Sequence, residues 1–82
     1  MNNKNYIVIY TDIGDTCDGL ARILTTTETL QEAQTEMTKD VNNYLLENPN
    51  TKLESDKPTH RIVVDSNGND VCIWQILVLN NL

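Results

Sequence analysis

The chain has 82 residues, enough for one small domain (1–82) and too few to fill two separate hydrophobic cores. Six Lys and Arg against twelve Asp and Glu leave a net charge of −6 and a pI near 4.4, which opposes direct binding to a phosphate backbone. The 39% hydrophobic and 22% charged content, with 3 Gly and 2 Pro, fits a folded domain better than a disordered tail or linker.

Tyr6 to Thr11 is rich in β-branched and aromatic residues and stops at Asp12-Ile13-Gly14-Asp15, which predicts a strand. The apolar run Tyr6 to Tyr10 is too short for a secretory signal, and no stretch reaches the ~20 apolar residues of a membrane span. The expectation is a soluble, cytoplasmic protein. After the turn signal Asp18-Gly19, Leu20 to Leu24 reads as a return strand at or near a sheet edge. Asp12, Asp15 and Asp18 recur at every third position of the intervening loop. Carboxylates so gathered attract hard cations, but this spacing matches no established calcium loop, and turns select Asp and Gly for backbone reasons alone. No metal site is expected.

From Leu30 the period changes. Leu30, Ala33, Met37, Val41, Tyr44 and Leu45 recur at helical spacing and place one apolar stripe on a helix of about four turns. Thr29 followed by Glu32 is a capping box that sets the start, and Asn48-Pro49-Asn50 sets the stop near Glu47. Thr51 to Thr59 is polar, contains Pro58 and reads as a surface connection. Arg61 to Asp65 and Val71 to Leu79 read as two further strands joined through Asn67-Gly68, a pair that tolerates positive φ and marks a hairpin. The segment Asp65 to Asp70 looks like the opening of a calcium loop. Its Gly falls at the fourth place instead of the sixth, and Ile76 occupies the place of the bidentate Glu. The predicted order is ββαββ, an α+β fold with a four-stranded antiparallel sheet from two hairpins and one amphipathic helix on one face.

Nothing in this pattern announces catalysis. His60 is the single histidine and stands where a polar connection enters a strand. No Gly-rich phosphate loop is present, and neither Cys17 nor Cys72 has an orienting group or oxyanion site in view. A non-enzymatic protein without a cofactor is expected. Cys72, inside an apolar strand, behaves as a small hydrophobe; Cys17, in a polar loop, is the more reactive of the two. Two cysteines so far apart in sequence suit a reduced intracellular protein.

Surfaces carry more information. Successive strand residues point to opposite faces, so the last strand divides into Val71, Ile73, Gln75, Leu77, Leu79 on one side and Cys72, Trp74, Ile76, Val78 on the other. The first divides into Ile7, Ile9 and into Tyr6, Val8, Tyr10. Both sides are apolar, and one helix covers only one of them. The second face is covered by the chain's own polar connection and termini, by a second copy, or by a partner protein. Tyr6 and Tyr10 are the expected partner anchors if they lie on it, whereas Trp74 reads as ordinary core.

Residues 1–50 hold eight acidic against three basic side chains, and residues 51–82 hold four against three. Glu32, Glu36, Asp40 and Glu47 line the helix opposite its apolar stripe, with Lys39 beside them. Such a row keeps a protein soluble, and it also suits docking on a basic groove in competition with phosphates. The expected partner-binding set is Asp12, Asp15, Asp18, Glu32, Glu36 and Asp40 for attraction, with Tyr6 and Tyr10 for contact energy.

Thr29-Leu30-Gln31-Glu32-Ala33, followed by the amphipathic run to Leu46 and preceded by a hairpin, resembles in outline the N-terminal domain of HicB-type antitoxins. The resemblance covers roughly the first half of the chain and lacks that family's third strand before the helix. Size, acidity and a compact αβ layout also resemble phage-encoded inhibitors, including anti-CRISPR proteins, which share no common motif. The expectation is therefore a small acidic protein that neutralises a larger, nucleic-acid-handling protein with a basic surface, without itself binding nucleic acid or membrane. The alternative is a self-associating structural domain that dimerises through the open sheet face.

Overall fold

A computed structural model describes residues 5–13 and 20–79. Its elements are β1 (Tyr6–Asp12), β2 (Leu20–Thr27), α1 (Leu30–Glu47), β3 (Lys52–Lys57), β4 (His60–Val64) and β5 (Asp70–Val78). The strands form one antiparallel sheet in the order β2-β1-β5-β4-β3, so the last strand is central and lies between the two hairpins. The α+β class agrees with the sequence, but the sheet has five strands instead of four.

The additional strand is β3, within the segment read as a surface connection. Its sequence, LysLeuGluSerAspLys, contains one apolar residue, Leu53, which packs against the core. The rest is polar because β3 is an edge, where charged side chains discourage pairing with another chain. A two-residue turn at Pro58-Thr59 joins it to β4 with Lys57 opposite His60, and no positive φ is needed there because proline presets the turn. At the other edge, β2 runs on through three β-branched threonines to Thr27, beyond the predicted end at Leu24.

The helix boundaries follow the predicted signals. The Thr29 hydroxyl oxygen accepts from the Glu32 N–H at 3.1 Å, and Glu32 Oε1 accepts from the Thr29 N–H at 3.1 Å. Asn48 closes the other end, its backbone and side-chain N–H groups both donating to the Tyr44 carbonyl. The β4–β5 hairpin is held by Asp65, whose carboxylate accepts from the N–H groups of Asn67 and Asn69, while Gly68 takes φ of 82°.

Registers decide which sheet face meets α1. Directly opposed residues share a face, and Tyr10 stands opposite Trp74, Val8 opposite Ile76 and Cys72 opposite Val63. All six join Ala33, Met37 and Val41 of α1 in one buried cluster. Trp74 is fully buried at its centre, with the Tyr10 ring 5.1 Å away and the Tyr44 ring edge-on at 5.6 Å. Its indole N–H donates to Asp40 Oδ2 at 2.8 Å, which satisfies the one polar atom the ring takes into the core. Arg61 forms a second tie between the layers. Its Nη1 donates to the Thr38 hydroxyl at 3.2 Å, and its Nε forms a 2.6 Å ion pair with Asp56.

The indole–carboxylate bond is charge-assisted and half-buried, so Asp40→Ala is expected to lower the unfolding free energy in urea by ~1.5–3 kcal/mol. Thr29→Ala, which removes an exposed cap, is expected to cost ~1 kcal/mol. An Asp40→Ala loss no larger than that of Thr29→Ala would contradict the central role given to the Trp74 contact.

Candidate protein-docking surfaces

Two surfaces with different chemistry lie on opposite sides of the molecule. The outer side of α1 is acidic. Glu32, Glu36 and Asp40 are spaced by four along it, a rise of ~6 Å per step, and Glu47 extends the charge to the last turn. Lys39 is the helix's one basic residue, 4.0 Å from Glu36 in an exposed pair that contributes little to stability.

Two of these carboxylates also have structural duties. Glu32 Oε1 is taken up by the Thr29 N–H and hydroxyl, and Asp40 Oδ2 by the Trp74 indole. Each keeps its second oxygen and its charge, so the negative field of the row persists. Asp40 is half-buried, however, which corrects its placement on a purely solvent-facing row. Asp12 ends β1 on the helix side of the sheet, opposite Cys72. Asp15, Asp18 and Cys17 lie outside the described residues.

The other surface is the sheet face turned away from α1. Ile7 stands opposite Leu77, Ile9 opposite Ile23 and Gln75, and Ile73 opposite Ile62. No described element packs over this face. Ile23 is 63% exposed and Leu77 46%, whereas Trp74, Val8 and Cys72 on the helix side are at 0%. The anchors expected on this open face are therefore corrected. Tyr10 is in the core, with the Arg22 guanidinium 5.3 Å from its ring centre, and Tyr6 is half-buried against the same core. The apolar residues of this face are aliphatic instead, with Ile23 and Leu77 exposed and Ile7, Ile9, Ile62 and Ile73 half-buried. Ile7, Ile9, Ile73 and Leu77 are visible in the strand alternation, but the contributions of Ile23 and Ile62 need the hairpin registers, which sequence alone left open.

Cys72 is a buried free thiol beneath α1. Burial pushes it up from an ordinary 9.0 to about 12, even though the neighbouring Tyr44 and Tyr10 hydroxyls act in the opposite direction. Burial likewise raises the Tyr44 hydroxyl from 10.0 to about 12, and it raises Tyr10 further. Such a thiol is inert at neutral pH. His60 is half-buried at the start of β4 and faces the open side with its partner Gln75. Among the described residues no three His, Cys, Asp or Glu side chains are gathered to hold a metal ion, and no helix is long and apolar enough to cross a membrane.

A shallow groove of about 450 Å³ separates the first half of α1 from the β3–β4 hairpin, lined by Gln34, Thr38, Lys57 and Arg61 among others. It collects amide and hydroxyl groups together with the charged Asp56, Lys57 and Arg61. No protein-family model, curated protein or solved structure matches the chain.

Two outcomes follow from the buried thiol and phenols. In a Cys17→Ser background, Cys72 should resist Ellman's reagent at pH 8, where roughly one thiol in ten thousand is ionised, and react once urea unfolds the chain. Prompt stoichiometric reaction of the native protein would contradict its burial. Because the folded state holds these protons more tightly than the unfolded state, stability falls as pH rises above 9.0 towards about 12. The urea midpoint should decline across that window and stay level just below it.

Proposed function

We propose that the protein is a small, non-enzymatic inhibitor that acts in the cytoplasm and neutralises a larger nucleic-acid-handling protein by occupying its basic surface. The observation that carries this reading is the outer side of α1, where Glu32, Glu36, Asp40 and Glu47 outnumber Lys39. A rigid helix holds these charges at fixed intervals, so they compete with a phosphate backbone for a groove lined by Lys and Arg. The net charge of −6 draws such a partner from a distance and keeps nucleic acid itself away. Asp12 adds negative charge at the end of β1, and Asp15 and Asp18, outside the described residues, add to the net charge.

The charge row is tested at positions without a structural duty. Glu36 and Glu47 are exposed and lie outside the cap and the Trp74 contact, whereas reversing Asp40 would also disturb the core. The wild-type chain, immobilised as bait, should retain a nucleic-acid-binding protein from host lysate, and added DNA or RNA should displace it. The double variant Glu36→Lys/Glu47→Lys should bind that protein on the order of tenfold more weakly near 0.1 M salt, with a shallower salt dependence. Binding that is indifferent to both the reversals and competing nucleic acid would overturn the proposal, as would the absence of any such protein.

A further inference from the structure

We infer that the open sheet face is covered by a second copy of this chain, in a two-fold dimer whose sheets pack face to face with Gln75 at the axis. This inference is independent of the acidic-helix reading, since it concerns the opposite side of the molecule.

Three observations select a copy as the occupant. The first is charge. A chain of net charge −6 repels its own copy over most of its surface, but no described carboxylate stands in a cross-strand pair with the aliphatic residues of this face. Asp12 lies on the helix side with Tyr10, Asp56 pairs with Arg61 on that same side, and the row on α1 belongs to the other layer. What faces outward is Ile7, Ile9, Ile62, Ile73 and Leu77 together with Gln75 and His60, and Lys57 stands opposite His60 at the β3 edge, so the centre of the face brings no described carboxylates of two copies together.

The second is area. Five strands at ~4.8 Å spacing and about seven residues at ~3.3 Å give a flat patch of roughly 550 Å², before side-chain relief is added. That approaches the ~800 Å² per partner of a standard stable interface. Twisted sheets pack this way with their strands about 30° apart.

The third is Gln75. It lies on β5, the middle strand, in the cross-sheet row Ile23, Ile9, Gln75, His60, and so sits near the centre of the face. No described residue hydrogen-bonds to its side-chain amide. An amide carries both donor and acceptor and is therefore complementary to its own image across a two-fold axis. A central polar group of this kind fixes register in an otherwise greasy contact.

The test is sedimentation equilibrium of the full chain from micromolar to millimolar concentration. The mass should rise from 9.3 kDa towards twice that value. Ile9→Lys should raise the dissociation constant about a hundredfold by burying an unpaired charge, with circular dichroism unchanged. Should Ile9→Lys fail to fold, Leu77→Lys, at a more exposed position, takes its place. In a Cys17→Ser background, Gln75→Cys should form a disulfide-linked dimer with oxidised glutathione, whereas Ile23→Cys, near the rim of the face, should not. A mass of 9.3 kDa at every concentration overturns the inference. So does a dimer indifferent to the lysine substitution, or one in which Ile23→Cys cross-links as readily as Gln75→Cys.

Discussion

A buried indole must find an acceptor for its N–H, and here that requirement joins the helix to one particular side of the sheet. Trp74 is the largest fully buried side chain, it lies on the central strand, and its acceptor, Asp40, comes from α1. The two tyrosines that pack on the ring come one from β1 and one from α1. A one-residue slip of β5 would turn Trp74 to the opposite face and leave both the indole and the helix without their partners. The identity of the covered face, and therefore of the open one, follows from this contact.

One helix of ~10–12 Å diameter then spans a sheet about twice as wide. The chain extends the coverage with Arg61, which reaches from β4 to Thr38, and with Leu53 and Leu24 at the two flanks of the core. All of these devices serve the same side. The molecule is left with two layers of contrasting chemistry, carboxylates outside the helix and aliphatic groups outside the sheet. Because the two layers face in opposite directions, a flat partner surface engages one at a time. Attraction to a basic surface and self-association are therefore compatible, and a dimer built on the sheet would display two acidic helices on its outer sides.

Much of this architecture is legible in the sequence because local chemistry and tertiary context agree. Thr29 and Glu32 specify the helix start, Asn48-Pro49 its end, Asn67-Gly68 the last hairpin, and the alternation in β5 its two faces. β3 escaped notice because its edge position replaces apolar alternation with charge and leaves Leu53 as the one core-facing signal. The candidate surface was legible as a class but not residue by residue. Both faces of β1 are apolar, so alternation separates Tyr10 from Ile9 without saying which of them meets the helix. Tyr10 has the chemistry of an aromatic anchor, yet its position opposite Trp74 places it in the core and leaves isoleucines outside. Helical spacing places Asp40 among the solvent-facing charges because it carries no information about an indole thirty-four positions away.

The central claim, that the helix seals one face of the sheet and the chain leaves the other open, is tested most directly by methyl NMR with a soluble paramagnetic agent. Methyl signals of Val8, Val41 and Val63 should be unattenuated at every protein concentration. Those of Ile7, Ile9 and Ile73 should be strongly attenuated at high dilution and become protected as concentration rises. Isoleucine methyls that remain protected in the dilute monomer would contradict the account, because the chain's own atoms would then cover both faces.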